Sequence, residues 1–133
     1  MTGRDETEQE KGLDLGPGRV IKAFGYSMDG LAGAWRHEAP FRLEAIAAIF
    51  LVPGSLFFPV SWLEHALLVA SVLLVMMVEL VNCGIESAID RISLERHPLS
   101  KRAKDAGSAA VLFALAIAVL IWGAILLPLA TRP

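Results

Sequence analysis

Four polar residues interrupt an apolar stretch of the chain: Glu79, Asn82, Glu86 and Asp90, spaced i, i+3, i+7 and i+11. On a helix of 3.6 residues per turn they share one face. Leu80, Val81, Cys83, Ile85 and Ile89 fill the positions between them. Ionisable side chains inside a membrane helix are expensive and usually face a bundle interior, which makes this row a functional candidate. If the membrane surface lies near Asp90, Glu79 stands about 15 Å inward at 1.5 Å of rise per residue. Acids graded from membrane interior to cytosol suit a site where a water-soluble reactant meets a membrane-dissolved one. Gluing helices together by hydrogen bonds would account for Asn82, but less readily for three acids in register.

Two flanking segments carry further charge. HEAPFRLE, from His37 to Glu44, holds Glu38, Arg42 and Glu44; ERHPLSKRAKDAGS, from Glu95 to Ser108, holds Lys101, Arg102, Lys104 and Asp105. A cationic loop beside an acidic stripe can bind phosphate through its bases while carboxylates hold Mg²⁺. There is no GxxxxGK[ST] phosphate loop, no GxSxG and no HExxH. On residue chemistry alone, the pattern is compatible with phosphoryl transfer without establishing it, because basic loops beside a membrane also serve simply as topology signals.

The elements that must position these residues are apolar and long. Of 133 residues, 55% are hydrophobic, above the usual share of a soluble domain. Apolar runs suit transmembrane helices over about 44–63, 65–90 and 106–130, the second only if Glu79 is accepted inside it. Pro53, Gly54 and Pro59 should bend the first. Residues 19–42 place Val20, Ile21, Phe24, Met28, Leu31 and Trp35 at helical spacing, as in an amphipathic helix lying on the membrane surface. Pro40 should break or bend that helix. Eleven of the twelve Lys and Arg residues precede the first run or lie between the second and third. The positive-inside rule therefore puts the N-terminus and residues 91–105 in the cytoplasm. Residues 1–18 are polar and Gly-rich, lack the apolar centre of a signal peptide, and read as a disordered lead-in to a single domain over 19–133. A lone cysteine, Cys83, excludes a disulfide framework, and a net charge of −2 without a basic aromatic patch gives no sign of nucleic-acid binding.

From Arg19 to Leu127 the chain resembles the prokaryotic diacylglycerol kinase family of small integral membrane kinases. The resemblance rests on IKAFGYSMDGL, AWRHEAPFRLE, VELVNCGIESAIDRI and above all HPLSKRAKDAGSAAV. It implies an all-α homotrimer in the bacterial inner membrane. Each subunit would have one surface helix and three transmembrane helices, with active sites shared between neighbours. The implied reaction is ATP-dependent phosphorylation of diacylglycerol to phosphatidic acid, with Mg²⁺ as cofactor. Carried over by motif, Glu79 would be the base that accepts the lipid hydroxyl's proton, and Glu38 and Glu86 would bind the metal. Arg19, Tyr26, Asp90, Glu95, Arg96, His97, Lys104 and Asp105, with the two metal-binding glutamates, would line the nucleotide. Trp35, Arg42, Glu44, Asn82 and Ser108 would contact the lipid or support the site. Met28, Leu43 and Arg96 depart from residues common in the family and bear on fine specificity.

Two other readings compete. A polyprenol (undecaprenol) kinase of the same family would keep the acids and change the lipid, although KDAGSAAV looks more like the diacylglycerol branch. A small proton- or ion-coupled transporter would also use a buried glutamate and a bent helix, but it gives the HPLSKRAKDA segment no role and should carry an internal repeat, which the sequence lacks.

Overall fold

The computed structural model describes residues 17–131, so most of the expected lead-in over 1–18 lies outside the described residues. Those residues form four helices and no strand: α1 Pro17–His37, α2 Ala39–Ser55, α3 Trp62–Ile92 and α4 Pro98–Ala130. The chain divides into two units after Gly33. The first unit contains the body of α1, whose Val20, Ile21, Phe24 and Met28 are all exposed. The second holds the end of α1 and the three remaining helices.

Several boundaries differ from the sequence expectation. The surface helix does not run through 42 but stops at His37. Glu38 is extended (φ −110°, ψ 110°) and α2 begins at Ala39. Proline is tolerated in a first helical turn, where its missing N–H would be unpaired anyway, so Pro40 opens a helix here rather than ending one. Residues 44–63 are not one helix. α2 ends at Ser55, where Leu56 and Phe57 N–H groups bond back to the Pro53 and Gly54 carbonyls, and residues 56–61 form a turn. The 17 residues of α2 rise about 25 Å, short of a hydrocarbon core of about 30 Å. Two helices, α3 and α4, are individually long and apolar enough to cross a membrane. The expected loop over 91–105 is largely helical, because α4 starts at Pro98 and leaves only residues 93–97 outside α3 and α4.

The ends of α3 and α4 are fixed locally. Ser61 Oγ accepts from Glu64 N–H while the Glu64 carboxylate accepts from Ser61 N–H at 2.7 Å, a reciprocal cap that starts α3. At the other end Glu95 N–H donates to Ser93 Oγ, and His97 Nδ1 accepts from Leu99 N–H at 3.2 Å, capping α4. α3 packs against both α2 and α4. Leu68, Ser71, Val72, Val75, Glu79, Asn82 and Cys83 are its buried residues. Trp122 of α4 donates its indole N–H to Ser71 Oγ at 3.1 Å, a bond between the two helices.

Candidate functional site

α3 carries the polar row into the interior. Glu79 is only 4% exposed and Asn82 is buried beside it, while Glu86 is half-buried and Asp90 exposed. The gradient from interior to surface follows from the helical period, which keeps all four on one face while the axis moves outward. One turn on from Glu79, the Cys83 thiol donates to Glu79 Oε1 at 3.8 Å, which leaves Oε2 for another partner. Asn82 Nδ2 donates to Glu86 Oε1 at 3.3 Å. Glu38 and Glu86 both lie within electrostatic reach of Glu79, and so does Glu44 from α2. Four carboxylates therefore crowd one region, an arrangement that calls for protons or cations to offset it.

The hinge at Glu38 contributes directly. As the N-cap of α2 it makes no side-chain cap, so its carboxylate is not committed to the helix end. Arg42 instead reaches back to the C-terminus of α1, donating from Nη1 to the Trp35 carbonyl at 3.1 Å and the Arg36 carbonyl at 3.3 Å. A guanidinium there satisfies orphan carbonyls and complements the negative helix end. Arg42, expected near the lipid or in support of the site, thus ties the start of α2 to the end of α1 on either side of Glu38.

A second cluster lies where the C-terminal end of α3 meets the N-terminal end of α4, in a cavity of about 610 Å³. Asp90, Glu95, Arg96, His97, Lys104 and Asp105 line it together, so six of the ten residues expected around a nucleotide converge. Lys104 Nζ pairs with Asp90 Oδ1 at 2.6 Å. That hydrogen bond holds the ammonium charged to a higher pH than an ordinary lysine, and Glu86 adds to the effect from further away. The charge of Lys104 therefore links the cavity to the carboxylate cluster. Lys101, which pairs with Asp105, and Ser100 also line the cavity; Lys101 was expected only as one base of the cationic segment, and Ser100 was not expected. Their place in the basic HPLSKRAKDA segment is the signal that points to them.

Arg19 and Tyr26 lie exposed on α1 in the first unit. Trp35 and Ser108 are exposed in the second. Glu44 lines a separate apolar groove of about 310 Å³ with Leu51, Val72, Met76, Leu115 and Trp122. Its Oε2 is buried with no hydrogen-bond partner among the described residues. Sequence reasoning used Gly107 only as part of the KDAGSAAV motif and gave it no place in the site. The detectable signal was a glycine at 107 inside a run of strong helix formers, at a cost in helix propensity.

Among the described residues no three His, Cys, Asp or Glu side chains are grouped to hold a metal by themselves. The hard oxygen donors Glu38 and Glu86 nevertheless suit Mg²⁺, which is commonly bound by one or two carboxylates and completed by phosphate and water.

Residues 25–126 match the family described as prokaryotic diacylglycerol kinase. The diacylglycerol kinase of Escherichia coli (strain K12) is 50% identical over 104 residues, covering 78% of this chain and 85% of that protein. Its counterpart in Pseudomonas aeruginosa is 48% identical over 109 residues, 82% of this chain and 89% of the relative. The Helicobacter pylori (strain 26695) enzyme is 44% identical over 111 residues, 84% and 87% respectively. A family match over residues 25–126, a range that includes both the carboxylate row and the basic segment, together with relatives of this identity and coverage, makes the chain a member of the prokaryotic diacylglycerol kinase family.

Proposed function

We propose that this protein transfers the γ-phosphoryl group of ATP to the free hydroxyl of diacylglycerol at the cytoplasmic membrane face, giving phosphatidic acid and ADP. The observation that carries the proposal is the junction of two unlike sites on one helix. A buried carboxylate cluster adjoins a charged cavity at the helix end, and the named relatives span both. Glu79 Oε2 takes the proton of the lipid hydroxyl as that oxygen attacks phosphorus, while the Cys83 thiol occupies Oε1. Arg96, His97 and Lys104 hold phosphate oxygens through N–H donors. Glu38 and Glu86 hold Mg²⁺, which when bound offsets the negative charge of the phosphates. The remaining work is positioning, as expected for phosphoryl transfer. α2 and the turn at 56–61 complete a third crossing, the basic segments face the cytoplasm of the inner membrane, and three subunits assemble so that neighbours complete each site.

The test is transfer of label from γ-labelled ATP, with Mg²⁺, to diacylglycerol and to undecaprenol in parallel mixed micelles. Labelled phosphatidic acid is the expected result. Label on undecaprenol alone would keep the mechanism and overturn the choice of lipid. No label on either, with folded protein, would overturn the kinase reading.

A further inference from the structure

We propose that Gly107 of α4 is a positioning residue for Glu86, acting through Asn82, and thereby sets how tightly the protein holds Mg·ATP. The inference rests on the reading of Glu86 as a residue of the nucleotide side of the site.

Gly107 is buried where α4 crosses α3. A β-carbon at this position would lie 2.1 Å from Asn82 Oδ1 and 3.2 Å from Asn82 Cγ, so the amide oxygen fills the room that a side chain at 107 would take. No other described glycine plays such a part. Gly18, Gly25, Gly30, Gly33, Gly54 and Gly84 face open space, and Gly123 would make only an ordinary contact. Glycine inside a helix is unfavourable relative to alanine, and close approach of a neighbouring element is a physical reason to accept it.

The opposite end of the same amide does the work. Asn82 Oδ1 is buried with no hydrogen-bond partner among the described residues, whereas Nδ2 donates to Glu86 Oε1 at 3.3 Å. Asn82 and Glu86 are four residues apart on α3, the spacing at which helical side chains face each other. The amide is therefore a lever: its oxygen is seated in the notch at 107, and its nitrogen steadies one oxygen of the Glu86 carboxylate. A methyl group at 107 evicts the oxygen, and the planar amide cannot turn without carrying Nδ2 off Glu86.

The test measures binding of Mg²⁺ with β,γ-methylene-ATP to the full-length protein in detergent by titration calorimetry, with helicity and particle size checked for each variant. Gly107→Ala is expected to weaken binding roughly tenfold, the scale of one hydrogen bond to a charged group, and to leave the KM for diacylglycerol unchanged. Asn82→Ala should weaken it similarly. The double variant should bind no worse than Asn82→Ala alone, because alanine at 82 clears the notch and leaves nothing to displace. It also keeps the proposal testable should Gly107→Ala fail to fold. Native binding in Gly107→Ala, or losses that add in the double variant, would overturn the inference. Glu86→Gln, measured alongside, separates the two layers. If it binds like the native protein, the nucleotide-side reading of Glu86 fails and the lever with it. If it binds weakly while Gly107→Ala does not, the lever alone is wrong.

Discussion

α3 and α4 are nearly equal in length, 31 and 33 residues, and both are apolar enough to cross a membrane, yet their surroundings differ. Of the membrane-length window, 39% is buried in α3 but only 6% in α4. α3 is the spine: it packs on both neighbours and carries the acid row on its enclosed face. α4 is a cover that touches α3 along one line and turns Leu112, Phe113, Val119, Leu120 and Leu127 outward. The contrast teaches that hydropathy identifies helices able to enter a membrane, whereas burial of polar groups picks out the one that carries the candidate site. In lipid no hydrophobic drive pairs one helix with another, so hydrogen bonds and close approach must do so.

The largest effect that would sharpen this contrast is on the spine. Glu79→Gln should lower turnover by about three orders of magnitude, the scale of a lost general base, with nucleotide binding retained. Substantial remaining turnover in the label-transfer assay would remove Glu79 from that role. Next, Glu86→Gln should weaken Mg·ATP binding by roughly tenfold or more. Calorimetry with the methylene analogue reads it directly, and unchanged affinity would count against the metal role. Between spine and cover, Ser71→Ala leaves the Trp122 N–H without its acceptor. It should cost about 1 kcal/mol of stability, measured by denaturant titration in micelles. The smallest effect belongs to the cover. Leu120→Val on the outward face of α4 should change stability by no more than about 0.5 kcal/mol. A markedly larger loss would break the comparison, since it would mean that this face packs on another subunit.

Much of this was legible in the sequence. The acid row was visible because helical period alone places Glu79, Asn82, Glu86 and Asp90 on one face. Of the six converging cavity residues, all but Asp90 were legible as members of one charged segment. Boundaries were harder, because hydropathy marks where a chain meets lipid and not where its hydrogen bonding ends. α4 starts at Pro98, well before its apolar run, since a histidine cap and a first-turn proline favour a helix start regardless of polarity. α2 stops at Ser55 despite continued apolarity, after Pro53 and Gly54. The notch at Gly107 was not legible, because it depends on which turn of α4 meets which turn of α3, and no single segment contains that information.

The Trp122–Ser71 bond also gives the molecule a built-in optical reporter. Of the three tryptophans, Trp62 is 84% exposed and Trp35 44%, while only the Trp122 indole is hydrogen-bonded across the α3–α4 contact. In a variant in which Trp35 and Trp62 are replaced by phenylalanine, the remaining emission would follow the docking of one helix on the other during membrane assembly, without any added label.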